Sequence, residues 1–263
     1  MMQFGFCELA TIPVRTEPSD RSEMSTQLLF GDLVEVEEQS GPWISIRNFF
    51  DDYTGWIDYK QLRMISGEEY CRLKGARLFV NRQLCTDVVK NEGQSRFLPA
   101  GCSFYDLKGR TMVVQDQQYV LEGKAFPFEF DGAGNLMESA FACLSSPYLW
   151  GGKTCFGFDC SGFTQVVFKQ HGIGLLRDAA QQSAQGEMIS FLSDGMPGDL
   201  AFFDNEEGTI VHVGILLDNQ KIIHCSGQVR IDDIDHQGIF NRERKVYTHK
   251  LRLIRRVISS PKS

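Results

Sequence analysis

The stretch Gly157-Phe158-Asp159-Cys160-Ser161-Gly162-Phe163 decides how this chain is read. Asp159 is a helix-capping residue type. Phe163, Val166 and Val167 share one helical face, and Gly172 stands where a helix would stop. The spacing predicts a helix that starts at Asp159 and carries Cys160 in its first turn. Helix N-termini offer unpaired N–H groups and partial positive charge. Both favour a thiolate, so a cysteine there can have a depressed pKa. The same N–H groups can stabilise a developing oxyanion. Cys160 taken alone also reads as a buried structural cysteine, since free cysteine is among the most buried residue types.

Upstream, Asn135 and Glu138 have capping-box spacing ahead of a stripe of Leu136, Met137, Ala140, Phe141 and Leu144. Pro147 is expected to end that helix. A further helical stretch is expected around residues 178–185. Strands follow at 200–203, 210–217, 221–224 and 250–254. Helices first and a sheet after is an α+β arrangement. Asp218-Asn219-Gln220 marks a turn between the second and third of these strands. A hairpin there is expected to set His212 directly opposite His224 on one face. A one-residue slip would put them on opposite faces.

A cysteine and two histidines can form a relay. One imidazole takes the thiol proton and the other fixes its tautomer. The same residue types can hold zinc, as a Cys155, Cys160, His212 and His224 set. The Cys-x4-Cys spacing is wide for zinc, and Asp159 and Gly162 suit a helix start better than a metal loop. Each histidine taken alone also reads as a satisfied core residue.

Residues before about 132 read differently. Segments 33–37, 43–47, 55–57, 76–80, 96–99, 102–105, 112–114 and 119–121 have strand character, with turns at Gly31-Asp32, Ser40-Gly41-Pro42 and Asp51-Asp52. Two small all-β units, 1–66 and 67–132, are the simplest parse. The α+β region then spans 133–263.

Composition narrows the function. The chain has 263 residues, 27 Lys+Arg against 34 Asp+Glu, and a net charge of −7. No basic surplus exists to neutralise phosphates, which argues against a nucleic-acid partner. No apolar run reaches the length of a membrane span. The start, Met1-Met2-Gln3-Phe4, does not resemble a signal peptide, so the cytoplasm is expected. The eight cysteines include no CxxC pair and read mostly as reduced and buried.

The motifs Tyr148-Leu149-Trp150-Gly151-Gly152, Asp159-Cys160-Ser161-Gly162, Pro197-Gly198-Asp199-Leu200, His212-Val213-Gly214-Ile215 and Ile223-His224-Cys225-Ser226-Gly227 together resemble the NlpC/P60 family of cysteine peptidases. They occur in family order over half the chain. The resemblance implies a papain-like α+β core. It makes Cys160 the nucleophile, His212 the general base, His224 the third triad member and Tyr148 an oxyanion donor. It calls for no metal or organic cofactor. The β units resemble bacterial SH3 domains, as in YkfC-type γ-D-glutamyl-L-diamino-acid endopeptidases. That implies a murein peptide substrate with a free N-terminal L-alanine, a role in cell-wall recycling, and a monomer. Glu23, Tyr53, Asp159, Ser161 and Asp178 match substrate-binding positions. Ala179 stands where the pattern has serine. Glu23 also reads as a solvated charge, Tyr53 as a neighbour of Trp56 in a barrel core, Asp159 as a plain cap and Trp150 as a core aromatic. Two alternatives stay open: a wall-peptide binding module with a weak catalytic domain, and a thioester-based acyltransferase.

Overall fold

The computed structural model describes residues 2–90, 93 and 95–258. The chain divides into two compact units, Met1–Glu129 and Phe130–Ser263. The first is almost entirely antiparallel sheet. Its seven-stranded sheet runs, edge to edge, Met24–Leu29, Thr11–Arg15, Thr54–Asp58, Trp43–Asn48, Leu33–Ser40, Gln3–Phe6 and Arg63–Ile65. Alternating apolar residues turn inward: Ile12 with Val14, and Ile44 with Ile46, join Leu28, Val34 and Ile57 in one core. Four-stranded and three-stranded sheets follow within residues 78–127. Between the larger sheet and these lies a helix, Gly67–Lys74, absent from the sequence reading. Its signal was present: Ser66 caps it by accepting from Glu69 N–H at 3.1 Å. Phe6, Phe30 and Tyr119 pack edge to face or tilted, with centroids 5.5–6.0 Å apart, and so link the larger sheet to the later strands.

The second unit opens with the helix Ala133–Ala142. Asn135 lies inside it and not at its cap, because its side chain donates back to Asp131. Phe141 of the expected stripe is exposed. The helix also ends well before Pro147. The central helix, Cys160–Gln170, begins at Asp159 as the spacing predicts, and every residue in it is buried. Full burial of Phe163, Val166, Val167 and Phe168 contributes on the order of 1.5–3 kcal/mol each.

Seven antiparallel strands complete this unit. Their order is Glu187–Ile189, Val246–Arg256, Leu200–Asp204, Ile210–Leu216, Lys221–Ser226, Gln228–Ile234 and Gly238–Asn241. Gly238–Asn241 pairs back onto Val246–Arg256, so six of the strands close on themselves. The expected histidine pairing is off by two residues. Gly214, not His212, stands opposite His224. The turn itself is the expected Asp218-Asn219-Gln220, closed by Leu217 N–H bonding to Lys221 O, and counting outward from that pair sets Gly214 opposite His224. A slip of two preserves the face, so the two imidazoles become diagonal neighbours. Gly214 makes room for that diagonal: a Cβ there would come within 2.8 Å of His224 Cβ.

Candidate active site

Cys160 is held in the first turn of its helix. Asp159 caps that turn, accepting from Gly162 N–H at 2.6 Å and, through its other oxygen, from Gly151 N–H at 2.9 Å. Gly162 is required by a close approach: a Cβ there would lie 2.2 Å from Gly152 O. Arg177, which the sequence reading passed over, grips the same carboxylate. Its Nη1 donates to Asp159 Oδ1 at 3.1 Å and to Ser161 Oγ at 2.8 Å, and its Nη2 to Asp159 Oδ2 at 2.5 Å. Arg177 and Asp159 are both buried. The side chains of Asp159 and Ser161 are thus engaged with the cap and with Arg177. A buried arginine beside Asp178 was the available signal, but burial cannot be read from the dipeptide alone.

Gln182 ties a second short helix to this one. Its side chain donates to Ser161 O at 3.0 Å and accepts from Thr164 Oγ1 at 2.8 Å. That helix, Ala179–Gln182, starts at Asp178, which is half-buried and forms a capping box with Gln181. The tie fixes Asp178 relative to the Cys160 turn. Tyr148 is 37% exposed, and Trp150 is exposed at 59%, not in the core. Trp150 belongs to a loop that turns at Gly151, where φ is +74°. Glu23 and Tyr53 belong to the first unit. Glu23 is exposed beside the strand Met24–Leu29. Tyr53 is half-buried in the turn before Thr54–Asp58, its N–H donating to Asp51 Oδ1 at 3.2 Å.

The Cys160 thiol is not acidified. Burial pushes its pKa up to about 11, and the Asp159 carboxylate adds to the rise. The N–H groups of Val213 and Ser161 and the Arg177 charge pull the other way without prevailing. The helix-start expectation of a depressed pKa therefore fails here. The residue is only 7% exposed, and its own capping carboxylate sits at the positive helix end. No hydrogen bond joins Cys160 to His212 among the described residues. The Val213 N–H facing the sulfur brings the residue after His212 against it. Catalytic bonds are often long before substrate binds.

Beyond His212 runs a chain of bonds. His212 Nε2 and His224 Nδ1 are 2.8 Å apart. His224 Nε2 and Asp232 Oδ2 are 3.0 Å apart. Arg230 donates to both oxygens of Asp232, at 2.7 and 2.9 Å. The strand register explains the alignment. His224 stands opposite Arg230, and Asp232 lies two residues on, hence on the same face. Asp232 was legible only through a strand the sequence reading stopped short of. Burial raises the Asp232 carboxyl, but bonds from His224 and Arg230 outweigh it and hold the pKa low. Burial drives His212 well below 6.5, helped by repulsion from His224 and His249.

His249 is a third imidazole that the sequence reading did not single out. It stacks on His212 at 4.1 Å between centroids, 24° from parallel. Burial lowers its pKa to about 4. The ligand atoms of His212, His224 and His249 lie within 4.8 Å of one another and form a group able to hold a metal ion. Neither Cys155 nor Cys160 joins that group, so the expected Cys2His2 alternative is not assembled. A metal on these rings would have to displace the direct His212–His224 bond. None of the eight cysteines is in a disulfide; five are buried, Cys71 and Cys85 are exposed, and Cys155 is intermediate.

Comparison with known proteins fits this geometry. Residues 145–248 match the model of the NlpC/P60 family, and residues 14–62 match that of the bacterial dipeptidyl-peptidase Sh3 domain. A γ-D-glutamyl-L-lysine dipeptidyl-peptidase of Bacillus subtilis is 31% identical over 217 residues, covering 76% of this chain and 72% of that protein. A protein of the same name from Bacillus cereus is 28% identical, covering 78% and 68%. The crystal structure of an NlpC/P60 family protein from Bacillus cereus superposes with a TM-score of 0.82 over 97% of this chain and 100% of that one, at 19% identity. That last likeness is one of fold. The chain belongs to the NlpC/P60 family, with a bacterial SH3 domain ahead of the family domain, and is a cysteine peptidase.

Proposed function

We propose that the chain hydrolyses the amide between γ-D-glutamate and an L-diamino acid in murein peptides that begin with a free L-alanine, in cytoplasmic recycling of wall fragments. The names of the Bacillus relatives support the bond. The Asp232–His224–His212 chain carries the chemistry. Anionic Asp232 can only accept, so His224 Nε2 holds a proton. His224 Nδ1 is then an acceptor, so His212 Nε2 holds a proton too. The lone pair of His212 is left on Nδ1, free to act as the base.

At rest the pair is a thiol and a neutral imidazole. His212 takes the Cys160 proton as the sulfur attacks the γ-carbonyl carbon. Backbone N–H groups at the helix start and the Tyr148 hydroxyl hold the oxyanion. Burial, then the Cys160 and Asp159 charges, raise the Tyr148 pKa, so it stays a neutral donor. The C–N bond breaks, and the departing amine takes its proton from His212. Water, deprotonated by His212, attacks the thioester and releases the acid and the thiol. Asp159 and Ser161 act by keeping Arg177 and the helix start in place. Asp178 takes the substrate's ammonium end. Ala179 offers no hydroxyl there.

The test offers L-Ala-γ-D-Glu-L-Lys and its N-acetylated form, with product masses read for each. Cleavage of the free peptide to L-Ala-D-Glu and lysine is expected. The blocked form should react at least about 100-fold more slowly, because acetylation removes the positive charge that the amino end presents to Asp178. Equal turnover overturns the free-amine requirement. No cleavage of either overturns the reading itself.

A further inference from the structure

A cleft of about 810 Å³ opens in the second unit, lined by Asp204, Glu206, Gln237, Tyr247, His249 and Lys250 among others. Nothing in the catalytic scheme uses it. Asp204 is its unusual member. The residue is buried, and its Oδ1 has no hydrogen-bond partner among the described residues. Two cations stand off at ion-pair range only: Lys250 Nζ at 3.9 Å from Oδ1 and Arg252 Nε at 3.6 Å from Oδ2. Both are mostly exposed to solvent. A buried carboxylate oxygen without a donor is costly to leave so. The strand that carries Asp204 is irregular in both of its pairings, between Phe203 and Asp204 on one side and between Phe202 and Phe203 on the other. Such bulges re-aim side chains beside functional sites.

The cleft also has a fixed relation to the chemistry. His249 is one of its walls and lies stacked on His212. The departing amine must receive its proton from His212, so the leaving group sits beside that imidazole. We infer that the Asp204 cleft is the leaving-group subsite, and that Asp204 takes the side-chain ammonium of the diamino acid, with Glu206 as a second, exposed acid. This rests on the function proposed above. It makes Asp204 a specificity-determining residue.

The experiment compares kcat/KM for L-Ala-γ-D-Glu-L-Lys with that for the norleucine peptide, which keeps the four-carbon side chain but lacks the ammonium. The wild type should prefer lysine by about tenfold or more. In Asp204→Asn the ratio should collapse toward one. The ratio is insensitive to a general loss of active protein, so a merely structural role would not move it. An equal rate on both peptides by the wild type, or an unchanged ratio in the variant, overturns the inference. A second measurement needs no turnover. L-Lysine titrated into protein with ¹⁵N-labelled histidine should shift the His249 ring resonances; L-norleucine should not, and neither should shift them in Asp204→Asn. If no peptide is cleaved, the proposed function has failed, and the titration still decides the subsite. No lysine-dependent shift in the wild type overturns it.

Discussion

The two units bury charge in different ways. In the first, the buried carboxylates are Asp32 and Asp51, and each ties a turn: Asp32 accepts from Leu29 N–H at 2.9 Å and Asp51 from Tyr53 N–H. The core around them is aliphatic and aromatic. In the second, buried charged and titratable side chains hold one another. Arg177 grips Asp159, and Asp232 holds His224, which holds His212. A carboxylate that accepts from a nearby backbone N–H stabilises a turn. A network of buried ionisable groups stabilises a protonation state, which is what acid–base chemistry needs. The contrast teaches where function lies: in the unit where burial is spent on polar groups.

Substitutions can break that contrast. The largest expected effect is from Cys160→Ala, which should cost about 10⁴-fold or more in kcat with the fold intact by circular dichroism. Retained peptidase activity would move the chemistry elsewhere. Arg177→Met comes next. It leaves Asp159 buried without its partner and should destabilise by about 3–5 kcal/mol in urea unfolding. Asp232→Asn removes the anion that sets both tautomers, and kcat should fall by about 100-fold while KM changes little. A fall no larger than twofold would free His212 from that chain.

The pH dependence sharpens the same comparison. An unfolded histidine binds its proton near 6.5, whereas folded His249 refuses one until about 4, and His212 and His224 are also lowered. Below 6.5 the unfolded chain therefore binds more protons. Stability is lost as pH falls from about 6.5 toward 4, by up to ~1.4 kcal/mol per pH unit for each such histidine. Urea midpoints of the wild type should fall over that window, and those of His249→Gln should fall less steeply. Activity should persist below 6.5, because His212 stays neutral there. The smallest effect belongs to the first unit: Ile46→Val should cost about 1 kcal/mol and leave kcat unchanged.

Much of the site could be read from residues in line. The Asp159 cap and the helix after it follow from local preferences that extend a few residues. The shared face of His212 and His224 follows from strand alternation, and it survived a register count that was off by two because the slip was even. Arg177, Asp232 and His249 were not legible. Arg177 and His249 act on residues far along the chain, Asp232 acts across a hairpin whose second strand the sequence reading missed, and ordinary charged and histidine side chains announce no partner. The raised Cys160 pKa was also hidden, because a helix-start motif shows the favourable dipole and not the burial or the orientation of the capping carboxylate.

What the sequence determined by itself was the central helix with its cap, the common face of His212 and His224, and the family to which the motifs belong. These depend on backbone periodicity and capping over a handful of positions. Tertiary structure alone decided which buried charge meets which, which imidazole keeps a free lone pair, and which carboxylate stays without a donor. Those outcomes depend on desolvation and on strand register across the sheet, and both arise only when distant segments pack.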